Sequence, residues 1–175
     1  MTLIVETGGG ASNSDAFCSL EYAAIYNSGH LDGELWLEED VAVQEKAIRL
    51  ATRRINDGWV FHGRRRSQQQ ALEWPRVGVR DQGGWVIPSN IIPTALRDAT
   101  AELARRIVTD FNAGSLSDDS NTGAVKAVKL GPIGIEFDTL EGAKSQPEIP
   151  DDVASMLRHL GYQVRGESRM GTYIR

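Results

Sequence analysis

Apolar positions recur along this chain with two different periods, and four stretches carry the spacing of a helix. Ser19 is placed to cap a first helix over residues 20–27, closed by Ser28-Gly29. A second starts near Glu38-Glu39-Asp40, whose charges suit the positive end of a helix, and runs to about Asp57 with Gly58 as its stop. Ala47, Ile48, Ala51 and Ile55 form its buried stripe, while Arg49, Arg53 and Arg54 leave in other directions. The clearest is the third, with Pro93 in its first turn and Leu96, Ala99, Thr100, Leu103, Ile107 and Phe111 at intervals of three and four. Its outer face carries Arg97, Asp98, Glu102, Arg105, Arg106 and Asp110. Pro150 and Asp151 open a fourth, in which Val153, Met156, Leu157 and Leu160 share a face and Gly161 is the end.

Elsewhere the period is two or absent. Residues 124–130 and 133–137 alternate around a Gly131-Pro132 break, which predicts a β-hairpin near 124–137 flanked by loops at 115–121 and 138–148. Residues 2–7 read as a short strand or extended arm ending in a hinge at Gly8-Gly9-Gly10. Residues 59–93 hold three tryptophans and three of the six prolines with little periodicity, so a long packed excursion is expected there. The fold class that follows is mainly α: a small helical bundle with a β-hairpin and extended N- and C-terminal arms. Residues 1–160 would form the domain and residues 161–175 the C-terminal arm.

Composition narrows the picture. A chain of 175 residues that is 41% hydrophobic and 25% charged suits one globular domain. Mean hydropathy is −0.32, and no apolar run approaches the roughly 18 residues of a membrane span, so no membrane partner is expected. The N-terminus lacks the basic flank and cleavage pattern of a secretory signal. Cys18 is the lone cysteine, which excludes an internal disulfide and fits a reducing cytoplasm. The net charge of −5 argues against a protein that coats duplex DNA, yet it hides an asymmetry. Residues 1–45 carry nine acids and no Lys or Arg, whereas residues 46–80 carry nine basic side chains against two acids. Such blocks suit complementary faces that meet across copies, or pairing within one chain.

Catalytic patterns are missing. Ala11-Ser12 follows the glycine triplet where a phosphate loop needs Gly-Lys-Ser/Thr. Gly166-Glu167-Ser168-Arg169-Met170 misses a nucleophile elbow because its second glycine falls one residue late, at Gly171. His30, His62 and His159 are too widely spaced for one helix to present two imidazoles to a metal. No enzyme activity, cofactor or metal is expected. The informative stretch is Trp59-Val60-Phe61-His62-Gly63-Arg64-Arg65-Arg66, then Trp74-Pro75-Arg76, then Trp85. Tryptophans beside prolines usually anchor loops, so the preferred reading makes Trp59, Trp74, Pro75 and Trp85 a loop core, with Arg64, Arg65, Arg66 and Arg76 facing an acidic neighbour or subunit. The alternative is a single-stranded DNA platform, in which Trp59, Phe61 and Trp74 stack bases while Arg64, Arg65 and Arg66 hold phosphate.

The block Gln70-Ala71-Leu72-x-Trp74-Pro75-Arg76-x-Gly78-Val79, with Asp81, Gly84, Ile87-Pro88, Ile92-Pro93, Ala99-x-x-Glu102-Leu103-Ala104 and Val125-Lys126-x-x-Lys129-x-Gly131-Pro132-Ile133, resembles a family of tailed-bacteriophage proteins. The likeness covers roughly residues 1–160. Members are encoded among head genes; many are labelled DnaT-like single-stranded DNA-binding proteins, and others resemble head-tail connectors, or adaptors, of the neck. The resemblance implies a structural virion protein made in the host cytoplasm. It would form a ring, usually of about twelve copies, between the portal protein and a tail-side neck protein. Duplex DNA would pass through its channel without specific binding, which a net negative charge favours. Tyr162, Arg165, Arg169, Tyr173 and Arg175 would lie on an arm that orders against the portal. The rival function is that of a single-stranded DNA-binding replication accessory.

Overall fold

In the computed structural model the described residues are 2–113, 129–130, 133–134 and 149–164. Two long amphipathic stretches become its long helices, α3 (Val41–Gly58) and α4 (Thr94–Asn112), which pack against each other. Helix α1 is Leu20–Ser28, α2 is Gly33–Leu37 and α5 is Asp151–Leu157. The strands are short: β1 (Trp59–Phe61), β2 (Arg64–Arg65), β3 (Arg76–Val77), β4 (Lys129–Leu130), β5 (Ile133–Gly134) and β6 (Gly161–Gln163). Antiparallel pairs join β1 to β6, β2 to β3 and β4 to β5. The molecule is mainly α with a small β part.

Local chemistry accounts for the helix starts. The Ser19 hydroxyl accepts the Tyr22 N–H at 3.1 Å, and the Asp40 carboxylate accepts that of Ala42 at 2.7 Å. In α3 the predicted stripe of Ala47, Ile48, Ala51 and Ile55 is buried, joined by Gln44 and Thr52. Helix α4 touches α1, α2, α3 and α5, so it has almost no outer face. That explains two departures from its sequence pattern. Glu102 and Arg105, expected outside, are buried, and they are buried together: Arg105 Nη2 donates to the Glu102 carboxylate at 2.5 Å. Phe111, expected inside, lies past the surrounding helices and is exposed.

Helix α2 has no counterpart among the predicted elements. The fully buried Trp36 holds it down, and a side chain at Gly33 would place a Cβ 1.9 Å from the Asn27 carbonyl oxygen, so the approach of α2 to α1 needs glycine. The fourth predicted helix stops at Leu157, with Leu160 buried in the turn that follows. Gly161, expected as the start of an arm, lies in β6, where Val60 pairs with Tyr162 and Phe61 with Gly161. Strands β4 and β5 pair at the centre of the hairpin expected over 124–137. The rest of that hairpin, the loops at 115–121 and 138–148, and Arg165, Arg169, Tyr173 and Arg175 lie outside the described residues.

The N-terminal segment is pinned rather than free. The Glu6 N–H donates to the Ala16 carbonyl and the Asp15 N–H to that of Ile4, both at 2.8 Å. The glycine triplet is not a hinge, because it wraps around a carboxylate of the chain itself. Buried Glu6 accepts the N–H groups of Gly8, Gly10 and Ala11 at 2.8, 3.0 and 2.8 Å and the Ser14 hydroxyl at 3.1 Å. Gly8 and Gly10 turn those amides inward from φ of +105° and +76°, which other residues adopt only under strain. Burial alone would raise the Glu6 pKa, but these donors hold it below its ordinary 4.5. The stabilisation is therefore complete above the ordinary carboxyl range and is lost as pH falls through the lowered value. Glu6→Gln should cost about 1–3 kcal/mol at neutral pH and flatten the acid limb of stability, as read by urea titration at several pH values.

Candidate functional site

Residues 59–93 have no helix or wide sheet to satisfy their backbone, and the side chains of the distinctive block do that instead. Trp74 is fully buried; its indole N–H donates to the Ile91 carbonyl at 2.9 Å, and its ring meets Phe61 edge-on with centroids 5.7 Å apart. The Trp74-Pro75 peptide is cis. Arg76 is buried and spends its guanidinium on the chain, donating to the His62, Glu73 and Gly63 carbonyls at 2.7, 3.0 and 2.9 Å. It also donates to the Glu73 carboxylate at 2.7 Å. Gln70, also buried, donates to the Leu72 and Pro75 carbonyls and accepts the Ser67 N–H. Arg65 reaches the Gln70 carbonyl, and Arg66 the Gly8 carbonyl, which ties the block to the N-terminal loop.

The structure therefore separates the residues singled out from sequence. Trp59, Phe61, Trp74, Pro75 and Arg76 are buried, and Arg65 and Arg66 are turned onto carbonyl oxygens. None of those three aromatic rings offers a face to a base. Arg64 is exposed in β2, and Tyr162 is exposed in β6 beside His62. Trp85, expected in the loop core, is 77% exposed instead. Its loop is nonetheless built: the Asp81 N–H donates to the Trp85 carbonyl and the Trp85 N–H to the Asp81 carboxylate, both at 2.9 Å. The signal was Gly83-Gly84 directly before it, which closes a tight turn on Asp81 and leaves the tryptophan just past that turn, outside the core.

A second polar cluster escaped the sequence reading. Glu102, buried on α4, receives Arg105 and also Arg106 at 2.9 Å; Arg105 reaches Asp32 before α2, and Arg106 reaches Asp152 in α5. His30 Nε2 lies 3.9 Å from the same carboxylate. Although burial works against its charge, Arg106 is held above the usual arginine value by Glu102 and Asp152. The cluster cross-links three helices and leaves its charges paired, which is a structural role.

The Cys18 thiol and the Tyr22 phenol are both held in their neutral forms. Burial pushes the Cys18 thiol up to about 12, far from the thiolate that reacts. Burial and a hydrogen bond to Asp98 likewise push the Tyr22 phenol up to about 12. Among the described residues no group of three or more His, Cys, Asp or Glu is gathered to hold a metal, and no helix is long and apolar enough to cross a membrane. Two grooves remain. One, of about 470 Å³, runs along α3 past Ser14, Lys46, Leu50, Arg53 and Leu72. The other, of about 460 Å³, lies by Glu6, Cys18, Tyr22, Ile92 and Arg97, where the Arg97 guanidinium stacks 4.6 Å over the Tyr22 ring.

Fold and site together define a small mainly α domain braced by an internal Trp-Pro-Arg clamp. The chain belongs to the family described as "Putative DnaT-like ssDNA binding protein", whose model matches residues 1–175. No curated protein and no solved structure matches it. If the clamp is structural, Trp74→Ala should cost about 3–5 kcal/mol. Arg76→Ala, which strands the His62 and Gly63 carbonyls, should cost about 1–3 kcal/mol per unpaired group. Chemical denaturation of the purified variants checks both.

Proposed function

We propose that the chain is a structural head-to-tail connector of a tailed bacteriophage, a ring of about twelve copies between the portal protein and a tail-side neck protein. It performs no reaction and uses no cofactor. One observation carries this reading: Trp59, Phe61, Trp74 and Arg76 are turned into the molecule, while large aliphatic side chains stand outside. Ile25, Leu31, Leu35, Leu37 and Val41 are all exposed within one short stretch, among acids. Exposed aliphatic side chains at this density along a chain suit a subunit that a neighbour covers. The net charge of −5 suits a channel through which duplex DNA slides without sticking. Tyr162, in β6, would start the arm that reaches the portal, with Arg165, Arg169, Tyr173 and Arg175 beyond it.

The second reading, a single-stranded DNA-binding accessory, is favoured by the family description and by one feature of the surface. Exposed Trp85 sits on a braced loop beside Arg80, an arrangement on which a base can stack. Fluorescence anisotropy with a labelled oligonucleotide at near-physiological salt separates the two. The connector predicts no binding at micromolar protein; tight, salt-sensitive binding that Trp85→Ala abolishes would establish the accessory role instead. Mass spectrometry of purified phage particles should detect the chain, and its absence would overturn the connector. Removing residues 165–175 should preserve the fold and abolish capture by the portal protein in a pull-down; retained capture would refute the arm.

A further inference from the structure

We propose that α2 of one copy seats in the basic groove on α3 of a second copy, so that the chain associates head to tail through this contact. The inference rests on the connector reading and names the surfaces that would close its ring. Helix α2 is a knob. With Trp36 directed into the core, Glu34 and Glu38 stand one turn apart on the outer side with no ion pair among the described residues, and Leu35 and Leu37 are exposed on either side of them. The groove on α3 is its complement, with Leu50 and Leu72 supplying apolar lining and Lys46 and Arg53 supplying charge. Both cations are exposed and have no ion pair among the described residues. Other cations near the groove are already spoken for, since Arg49 is held by Asp15 at 2.7 Å.

Knob and groove cannot meet within one molecule. Within one copy α2 packs on α1 and α4, and the groove residues Lys46 to Arg53 lie five to twelve residues along α3 from Val41, about 8 to 18 Å away down one rigid helix. The contact must therefore join different surfaces of two copies, the heterologous kind that closes into a ring when the rotation allows. Burial of the leucines supplies affinity, and the opposed charges set register and make association sensitive to salt.

Light scattering on the full chain, with two charge reversals, tests the contact. Wild type should form oligomers that weaken as salt is raised, and Glu34→Lys with Glu38→Lys should reduce the mass to that of a monomer. Lys46→Glu with Arg53→Glu should do the same, and all four substitutions in one chain should restore association. Circular dichroism checks that each variant is folded. Because Cys18 is buried, Leu35→Cys with Leu50→Cys gives a second readout: oxidation should yield a ladder of cross-linked copies. A wild-type chain that stays monomeric, reversals that leave the oligomer unchanged, or oxidation without a ladder each overturns the inference. A chain present in phage particles whose oligomer ignores the reversals would refute this contact while leaving the connector standing.

Discussion

An irregular segment laid over a helical bundle must find partners for its own backbone, and that constraint shapes this molecule. Residues 59–93 cover the bundle with only three short strands of their own, so side chains must act as the ladder. Arg76 alone serves three carbonyls, Gln70 serves two more, and the Trp74 indole fixes the far end at Ile91. A guanidinium used in this way gains rigidity for the segment, and four of its five N–H donors are taken by the chain itself. Trp59, Phe61, Trp74 and Arg76 are thereby withdrawn from solvent, while Arg64 and Trp85 stay exposed.

Charge follows a similar logic. The acidic first quarter of the chain is partly consumed at home: Glu6 by its glycine loop, Asp15 by Arg49, Asp32 by Arg105. What remains outside is unevenly distributed, acidic and aliphatic around α2, basic along α3. Paired charges inside contribute definition more than stability, since burying them is costly. Unpaired charges outside are where recognition has something to read.

Much of the fold was legible in the sequence because it rests on periodicity. The stripes of α3 and α4 and the Ser19 cap follow directly from spacing and side-chain type. What was not legible depended on neighbours. Whether Glu102 faces water is decided by how many helices surround α4, and whether Trp85 is core or surface is decided by the turn at Gly83-Gly84. Helix α2 was invisible because five residues held by one tryptophan carry no period. The glycine triplet misled for a further reason. Its resemblance to a flexible joint is real in composition, but the anion it encloses, Glu6, sits two residues upstream of Gly8. At the site, the preference for a loop core over a stacking platform agrees with the burial of Trp59 and Trp74 but not with the exposure of Trp85, since both arrangements use the same side chains.

The central claim is that these surfaces exist to build a closed assembly. Electron cryo-microscopy of the neck of mature phage particles tests it most directly. Density beneath the portal should show a ring of copies into which the α3–α4 body fits, with α2 and α3 at the contacts between neighbours. A neck whose density is fully accounted for by other proteins would contradict it.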